Sequence, residues 1–577
     1  MPPPLSTRVY DVAIVGSGAG GGMAAYALTR AGADVVMLEA GPMWDAARDG
    51  AMLAWSYDSP RRGAATPEKP FGEFDGCIGG WQIEGEPYTT APGTEWMWWR
   101  ARMLGGRTNH WGRISLRFGP DDFRGKSLDG LGDDWPISYG DLAPYYDRLD
   151  RLIGLFGNRA GFHNEPDGIF LPPPKPRVHE LLVMQGAKRL GIPVLSSRLS
   201  VLTRPHGGRP PCHYCSQCGR GCATASNFSS PSVLLKPALE TGRLEIVPHA
   251  MAREVLTDAE GLATGLSYVD TQDLQEYQVR ARVVVLAASA CETARLMLNS
   301  RSTRHPNGLA NGSGVVGRYL MDSTGASVGG FFPQLMGRPP YNEDGVGGGH
   351  IYVPWFGYDR QLDFARGYHF EVWGGRSQPA YGFMGGIHNY NGRVADVNNT
   401  PRPRGGGGYG LALKEDYRRF YGAFAGFAAR GETIGRYENY CEIDPETVDR
   451  YGIPVLRFHA TWSDQEYNQI RHAQETAREL IEAMGGEPLT PMPTREEGYG
   501  ILAPGQIIHE VGTARMGTDP RTSALDAYCQ AHEARNVFVA DAAPFVSQAH
   551  KNTTWTLMAL AWRTADRIVE LRNQGQV

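Results

Sequence analysis

No stretch of this 577-residue chain reaches the ~18 apolar residues that a membrane-crossing helix needs. The longest apolar runs, around Val283–Ala288 and Leu557–Trp562, suit a buried strand and a packed helix. Charge of one sign is lacking too. The 57 Lys and Arg against 62 Asp and Glu leave a net charge of −5, which gives nucleic acid or an anionic membrane surface no reason to bind. Cysteine is sparse at 8 residues, and Cys77, Cys291, Cys441 and Cys529 are scattered, so a disulfide scaffold is not expected. Only Met1–Val9 precede the first expected strand, which leaves no room for a signal peptide. A reducing, cytoplasmic setting is therefore expected, unless a partner carries the folded chain into the periplasm. No internal repeat or low-complexity linker is visible, and Pro401–Gly408 is the best candidate for a mobile loop.

Glycine, by contrast, is abundant at 74 residues. That excess suits a backbone that must approach a large ligand closely. Length and a 41% hydrophobic, 21% charged composition indicate a globular protein of two closely joined domains. Tyr10–Val15 is a β-branched run, followed by Gly16-Ser-Gly18-Ala-Gly20-Gly21 and an Ala-rich helix that Gly32 stops. Ala33–Leu38 is a second strand ending in Glu39, which completes a β-turn-α-β unit. Gly16, Gly18 and Gly21 match G-x-G-x-x-G between strand and helix. The first glycine turns the chain, the second lets backbone N–H groups reach a pyrophosphate, and the third lets helix and strand pack closely. The helix N-terminus adds its partial positive charge. Glu39 stands where a carboxylate can accept ribose hydroxyls. The unit predicts dinucleotide binding.

Further helices are expected near Ser138–Leu155 and His179–Leu190, through Pro231–Glu240, over Cys291–Asn299, and over Asp464–Met484, an amphipathic stretch closed by Gly485-Gly486. Strands are expected at Arg243–Val247, Leu266–Val269, Val283–Leu286 and Asn536–Ala540, with a final helix from about Thr553. Between about Pro42 and Pro205 the pattern is irregular, and Trp96-Met-Trp-Trp99 with Trp111 suggest aromatic walls rather than regular core. Gly325–Arg430 reads as sheet and loops of a second domain.

The remaining four cysteines fall together, as Cys212-His-Tyr-Cys215-Ser-Gln-Cys218-Gly-Arg-Gly-Cys222. The spacing C-x2-C-x2-C-x3-C is the one bacterial ferredoxins use for an iron–sulfur cluster. Gly219 and Gly221 would let backbone wrap inorganic sulfide. A structural zinc is the second reading, although two C-x2-C pairs in one contiguous stretch crowd a tetrahedral site. Plain cysteines or a disulfide are the third.

Gly105-Gly-Arg-Thr-Asn-His110-Trp111-Gly112, Val283–Leu296, His509-Glu-Val-Gly-Thr-Ala-Arg-Met-Gly517 and Asn536-Val-Phe-Val-Ala-Asp541 follow the nucleotide turn in that order. Together they resemble the glucose–methanol–choline (GMC) flavoprotein oxidoreductases, from one end of the chain to the other. The resemblance implies FAD in the turn and an α/β fold: a Rossmann-like FAD-binding domain with an inserted α+β substrate-binding domain. It places residues 1–325 mainly in the FAD domain with a cysteine loop at 205–225. Residues 326–500 fall mainly in the substrate domain, and 501–577 return to the FAD domain with the catalytic pair. His509 takes the place of the active-site histidine, and Asn552 that of the second polar residue. Thr553 stands where many relatives have proline. Asp541 is implied near the ribityl chain and pyrophosphate, Ala252 beside the adenine, and Ala288 with Ser289 along the same cofactor. Asn109 and His110 are implied against the flavin, and some relatives bind it covalently through the corresponding histidine. His550 falls outside the pair. Sugar dehydrogenases of the family can carry a three-iron cluster on Cys-x5-Cys-x3-Cys. Cys212, Cys218 and Cys222 reproduce that pattern and Cys215 would complete a four-iron one.

The expectation is an FAD-dependent dehydrogenase acting on an alcohol of a sugar, glycoside or sugar acid. His509 would take the hydroxyl proton, as a neutral imidazole can, and the Asn552 amide would orient the hydroxyl. Electrons would pass through a 3Fe-4S or 4Fe-4S cluster to a small subunit, cytochrome or quinone acceptor. Two rivals stand beside it: an oxidase of the same fold that uses oxygen, and a non-catalytic flavin electron-transfer subunit. Nucleic acid and a transmembrane segment are not expected.

Overall fold

The computed structural model describes residues 5–50, 77–338, 345–356, 362–375 and 420–577, with the single positions 52, 58, 411, 414 and 418. Pro401–Gly408 lies outside them. The first sheet is built around β1 (Leu5–Val15), whose Val12–Val15 are all buried, as a central parallel strand covered on both faces requires. On one side β1 runs parallel to β2 (Val35–Leu38), and β2 to β3 (Leu244–Val247). β4 (Ala250–Thr257), β5 (Ala263–Asp270) and the first half of β6 (Glu276–Leu286) form an antiparallel meander. β6 lies parallel to the other side of β1. Helix α1 (Ala19–Arg30) starts at the glycine turn between β1 and β2.

The second sheet is antiparallel, and its order is Glu487–Pro488, β7 (Thr324–Phe331), β10 (Phe424–Gly431), β9 (Tyr368–Gly374), β8 (Ile351–Phe356), Leu195–Ser196. β11 (Tyr440–Val448) and β12 (Pro454–His459) pair beside it, with Thr89–Thr90 parallel to β12. Of the remaining helices, α2 (Tyr139–Ile153) packs with the first sheet's core, α3 (Val178–Arg189) lies under the second sheet, and α4 (Ala290–Asn299) leaves β6. Helix α5 (Asp464–Ala483) begins where the Glu466 carboxylate accepts the Ser463 N–H at 2.7 Å. Its Ala473, Ala477, Leu480 and Ile481 repeat at helical spacing and pack on Val328, Phe331 and Phe427 of the sheet. Burying Leu480 and Ile481 is worth roughly 1.5–3 kcal/mol each. Among the described residues no helix is long and apolar enough to cross a membrane.

The chain then returns to the first sheet. β13 (Val537–Val539) lies parallel to the second half of β6, and α6 (Thr554–Asn573) packs on α1, with Tyr26 and Trp562 edge to face at 5.9 Å. The Rossmann-like FAD-binding domain and the inserted substrate-binding domain expected from the sequence are both present. The tryptophans divide. Trp96 stacks on Phe458 at 5.3 Å and Trp98 meets the same ring edge-on, so both are core, whereas Trp99 and Trp111 reach an internal cavity.

Candidate active site

A single cavity of about 720 Å³ runs from the glycine turn to the floor of the second sheet. The turn fits a pyrophosphate. Gly16 has φ +92°, and a Cβ there would stand 2.4 Å from the Ala287 carbonyl oxygen. A Cβ on Gly21 would stand 1.9 Å from the Gly16 oxygen, but one on Gly18 would meet nothing within 4 Å. The chain is thus closed around the turn everywhere except on the face that looks into the cavity. Glu39 lines the same cavity. Its carboxylate accepts Ser17 Oγ–H at 2.5 Å and Gly41 N–H at 2.9 Å, and burial raises its pKa. Asp541, directly after β13, accepts Ser289 N–H at 3.1 Å and Thr293 Oγ–H at 2.6 Å, and burial pushes it up to about 6. Ala252, Ala288 and His110 line the wall between them, with Trp99 Nε1–H donating to His110 Nε2 at 3.0 Å. Asn109 does not reach the wall, because its amide N–H bonds to the Leu104 and Gly106 carbonyls at 2.9 and 3.2 Å.

At the other end of the cavity the sequence-predicted pair meets. Asn552 Nδ2 lies 3.1 Å from His509 Nε2 and 3.2 Å from Glu371 Oε1. A carboxylate only accepts, so Glu371 dictates which end of the Asn552 amide faces it. That NH2 group can only donate to His509 Nε2, which leaves the ring proton on Nδ1, 3.1 Å from Ser323 Oγ. Ser323 Oγ in turn accepts Gln548 Nε2–H at 3.0 Å. Burial, and then the Arg430 guanidinium, push the His509 pKa down to about 3, so the imidazole is neutral at physiological pH. Glu371 is held below the usual carboxylate range. Burial alone would raise it, but Arg430, at 2.9 Å, together with His369 and His509 outweighs that. The backbone is fixed as well: Asp322 accepts the His509 N–H at 2.8 Å and the Ile507 N–H at 3.0 Å. Burial and the nearby Glu510 push Asp322 up to about 7.

His550, adjacent in sequence, faces away. It meets His369 at 3.1 Å and Glu165 at 3.2 Å instead. Glu371, Arg430, Ser323 and Asp322 were missed in the sequence. The only signal for the first two is a lone charge inside an otherwise apolar strand, in Tyr368-His-Phe-Glu-Val-Trp-Gly374 and Phe424–Gly431.

The cysteine run does not form the expected centre. Among the described residues, no group of three or more His, Cys, Asp or Glu side chains is placed to hold a metal ion. Cys212, Cys215, Cys218 and Cys222 form no disulfide. Cys212 Sγ accepts the Tyr214 N–H at 3.3 Å, Cys222 Sγ lies 3.4 Å from Thr224 Oγ1, and Cys218 is buried beside Gly347. Tyr214 and Ser216, at φ +57° and +58°, reverse the backbone on both sides of Cys215, which bridges to Gly345. The iron–sulfur cluster, the zinc alternative and the electron relay built on the cluster are therefore set aside.

The glycine turn opening on a cavity that ends in a neutral histidine fits a flavin-dependent oxidoreductase acting on CH–OH groups, and Glu39 and Asp541 line the same cavity. Residues 83–324 and 437–561, more than half of the chain, match family models described as GMC oxidoreductase, and residues 11–71 match a model described as FAD binding domain. The chain belongs to the GMC oxidoreductase family. It is similar to the fructose dehydrogenase large subunit of Gluconobacter japonicus, at 27% identity over 99% of this chain and 99% of that protein. It is equally similar to 6'''-hydroxyparomomycin C oxidase of Streptomyces lividus, at 27% identity over 98% of this chain and 92% of that protein. In fold it resembles a formate oxidase of Aspergillus oryzae, with a TM-score of 0.63 at 14% identity, covering 99% of this chain and 100% of that one.

Proposed function

We propose that this protein oxidises a hydroxyl group of a sugar-like polyol and returns the electrons to dioxygen, with His509 as the base. The observation that carries the reading is the neutral His509 on the cavity wall, whose Nε2 accepts only the amide N–H of Asn552, a contact that a hydroxyl can replace. Bound along the cavity, FAD would supply the acceptor for the hydride that leaves the alcohol carbon and, once reduced, the donor of those two electrons to oxygen. The chain supplies everything else. His509 Nε2 takes the hydroxyl proton, while Ser323 holds the Nδ1 proton and keeps the ring from turning. The alcohol replaces the Asn552–His509 contact: its hydroxyl donates to Nε2 and accepts the Asn552 Nδ2–H that Nε2 gives up, while the other Nδ2–H stays on Glu371. Positioned general-base catalysis of this kind contributes about 10²- to 10⁴-fold.

Oxygen is favoured as acceptor because the cysteine loop offers no relay and one full-length relative is named an oxidase. A sugar-like substrate is favoured by the relative named for fructose. No companion subunit is required by this reading. The test is to mix purified protein with sugars and polyols, first without oxygen and then with it. Flavin bleaching without oxygen, followed by one hydrogen peroxide per product with it, is expected. Product formation only with artificial acceptors would remove oxygen from the reading. A flavin that no alcohol bleaches would remove the catalytic assignment.

A further inference from the structure

The floor of the cavity is three strands in register. Glu371 of β9, Ala428 of β10 and Ser327 of β7 stand directly opposite one another, and Arg430 lies one pleat further along β10 on the same face. Ser327 and Ala428 are small and leave room above the strands. Glu371 and Arg430 do not, and their side chains remain 22% and 19% exposed. Glu371 also touches Asn552 at 3.2 Å, so the ion pair lies immediately beside the position assigned to the reacting hydroxyl.

We infer that the Glu371–Arg430 pair selects a neutral vicinal diol by binding the hydroxyl on the carbon next to the one oxidised; this rests on the alcohol-oxidising reading above. A hydroxyl can donate to the carboxylate and accept from the guanidinium at once. A substrate carboxylate would face Glu371, and a substrate ammonium would face Arg430. The wall around His509 offers no net charge to attract either, because its other charged pair, Arg107 and Glu510 at 2.7 Å, is also compensated. An alcohol without the neighbouring hydroxyl leaves two charged groups without the partner their geometry awaits, which is the costly way to miss a hydrogen bond.

The test uses the flavin-loaded protein and two matched pairs, cyclohexane-1,2-diol with cyclohexanol and D-glucose with 2-deoxy-D-glucose. The rate and saturation of flavin reduction are read by rapid mixing without oxygen. The diol member is expected to be about 10- to 100-fold better in the ratio of rate to dissociation constant. In Arg430→Met and in Glu371→Gln that preference is expected to shrink toward unity. Equal constants within each pair in the wild-type protein overturn the inference and leave alcohol oxidation standing. A preference kept intact in both variants also overturns it, because the diol would then be read elsewhere. If no member of either pair reduces the flavin, it is the alcohol-oxidising reading that falls. The wild-type comparison decides even if a variant does not fold.

Discussion

His509 is surrounded by influences of opposite sign, and their order sets its chemistry. Burial and Arg430 push its pKa down to about 3, and Glu371 pulls the other way. A base at that value stays unprotonated down to the most acidic pH at which the protein can be assayed. The wild-type kcat/KM is therefore expected to show no acid limb from His509 between about pH 5 and 8. Arg430→Gln removes the cation and leaves Glu371 beside the ring. The His509 pKa then rises toward its ordinary range, and kcat/KM should fall as pH drops through it. A pH–rate profile of the two proteins with one substrate checks this, and an unshifted acid side in the variant would remove Arg430 from the account. His509→Ala is expected to slow flavin reduction by about 10²- to 10⁴-fold while FAD content is unchanged. Absorbance of the purified variant and anaerobic rapid mixing measure the two quantities separately.

At the scale of the element, the glycine turn makes a sharper statement than its motif. Gly18 has φ −64°, and a Cβ on it meets no protein atom. Gly18→Ala should leave the flavin-free protein as stable as wild type and yet deplete the bound FAD, because the methyl enters the cofactor's space. Gly21→Ala should instead lower the melting temperature of both forms, since its methyl would meet the Gly16 oxygen. Thermal denaturation with and without added FAD tells the two variants apart. The cysteine loop carries a prediction of the opposite kind. Cys212→Ser and Cys222→Ser together should alter neither flavin reduction nor oxygen consumption, and the purified protein should hold no stoichiometric iron. Metal analysis and an oxygen electrode are sufficient.

These elements also show why some of the site was legible in the sequence and some was not. The turn and Glu39 are legible because strand, turn and helix signals stand next to them in the chain, whereas His509 and Asn552 are legible only through the resemblance to the GMC family's motifs. The neighbours that give His509 and Asn552 their orientation were not. Glu371 and Arg430 come together through the register of β9 on β10, and Ser323 reaches His509 only after the chain has crossed from β6 to β7. No local spacing encodes such pairings. The cysteines misled for the converse reason: their spacing is local, but the left-handed residues among them are not apparent from it. Pro231–Glu240 was expected to be one helix. It begins as a π turn over Pro231–Leu235, where Pro237 has no N–H for the Val233 carbonyl.

For the molecule as a whole, two sets of buried groups that folding keeps uncharged bear on stability near neutral pH. Burial lowers His179 and His509 to about 3, and His350 and His550 to about 4. These bases are kept neutral by folding, so their contribution to stability is complete above about pH 6.5 and is lost as pH falls toward those values. Asp322 is raised to about 7 by burial and Glu510, and Glu432 to about 8 by burial and Asp122. These acids are kept protonated, so their contribution is complete below about pH 4 and is lost as pH rises through 7 and 8. Between about pH 4 and 6.5 the two sets oppose each other, and above it only the acids act. The melting temperature is expected to fall between about pH 6.5 and 8.5; a rise across that interval in scanning calorimetry would contradict it.

β13 and the second half of β6 are far apart in the chain, and Asp541 follows β13 at once. During synthesis, then, a long nascent chain already holds β1, β2 and β6 but exposes the apolar edge of Val284–Leu286 until residues 537–539 emerge. The same late segment delivers the Asp541 carboxylate to the cofactor cavity. The cavity wall is therefore complete only once the chain from Val537 onward has joined the first sheet.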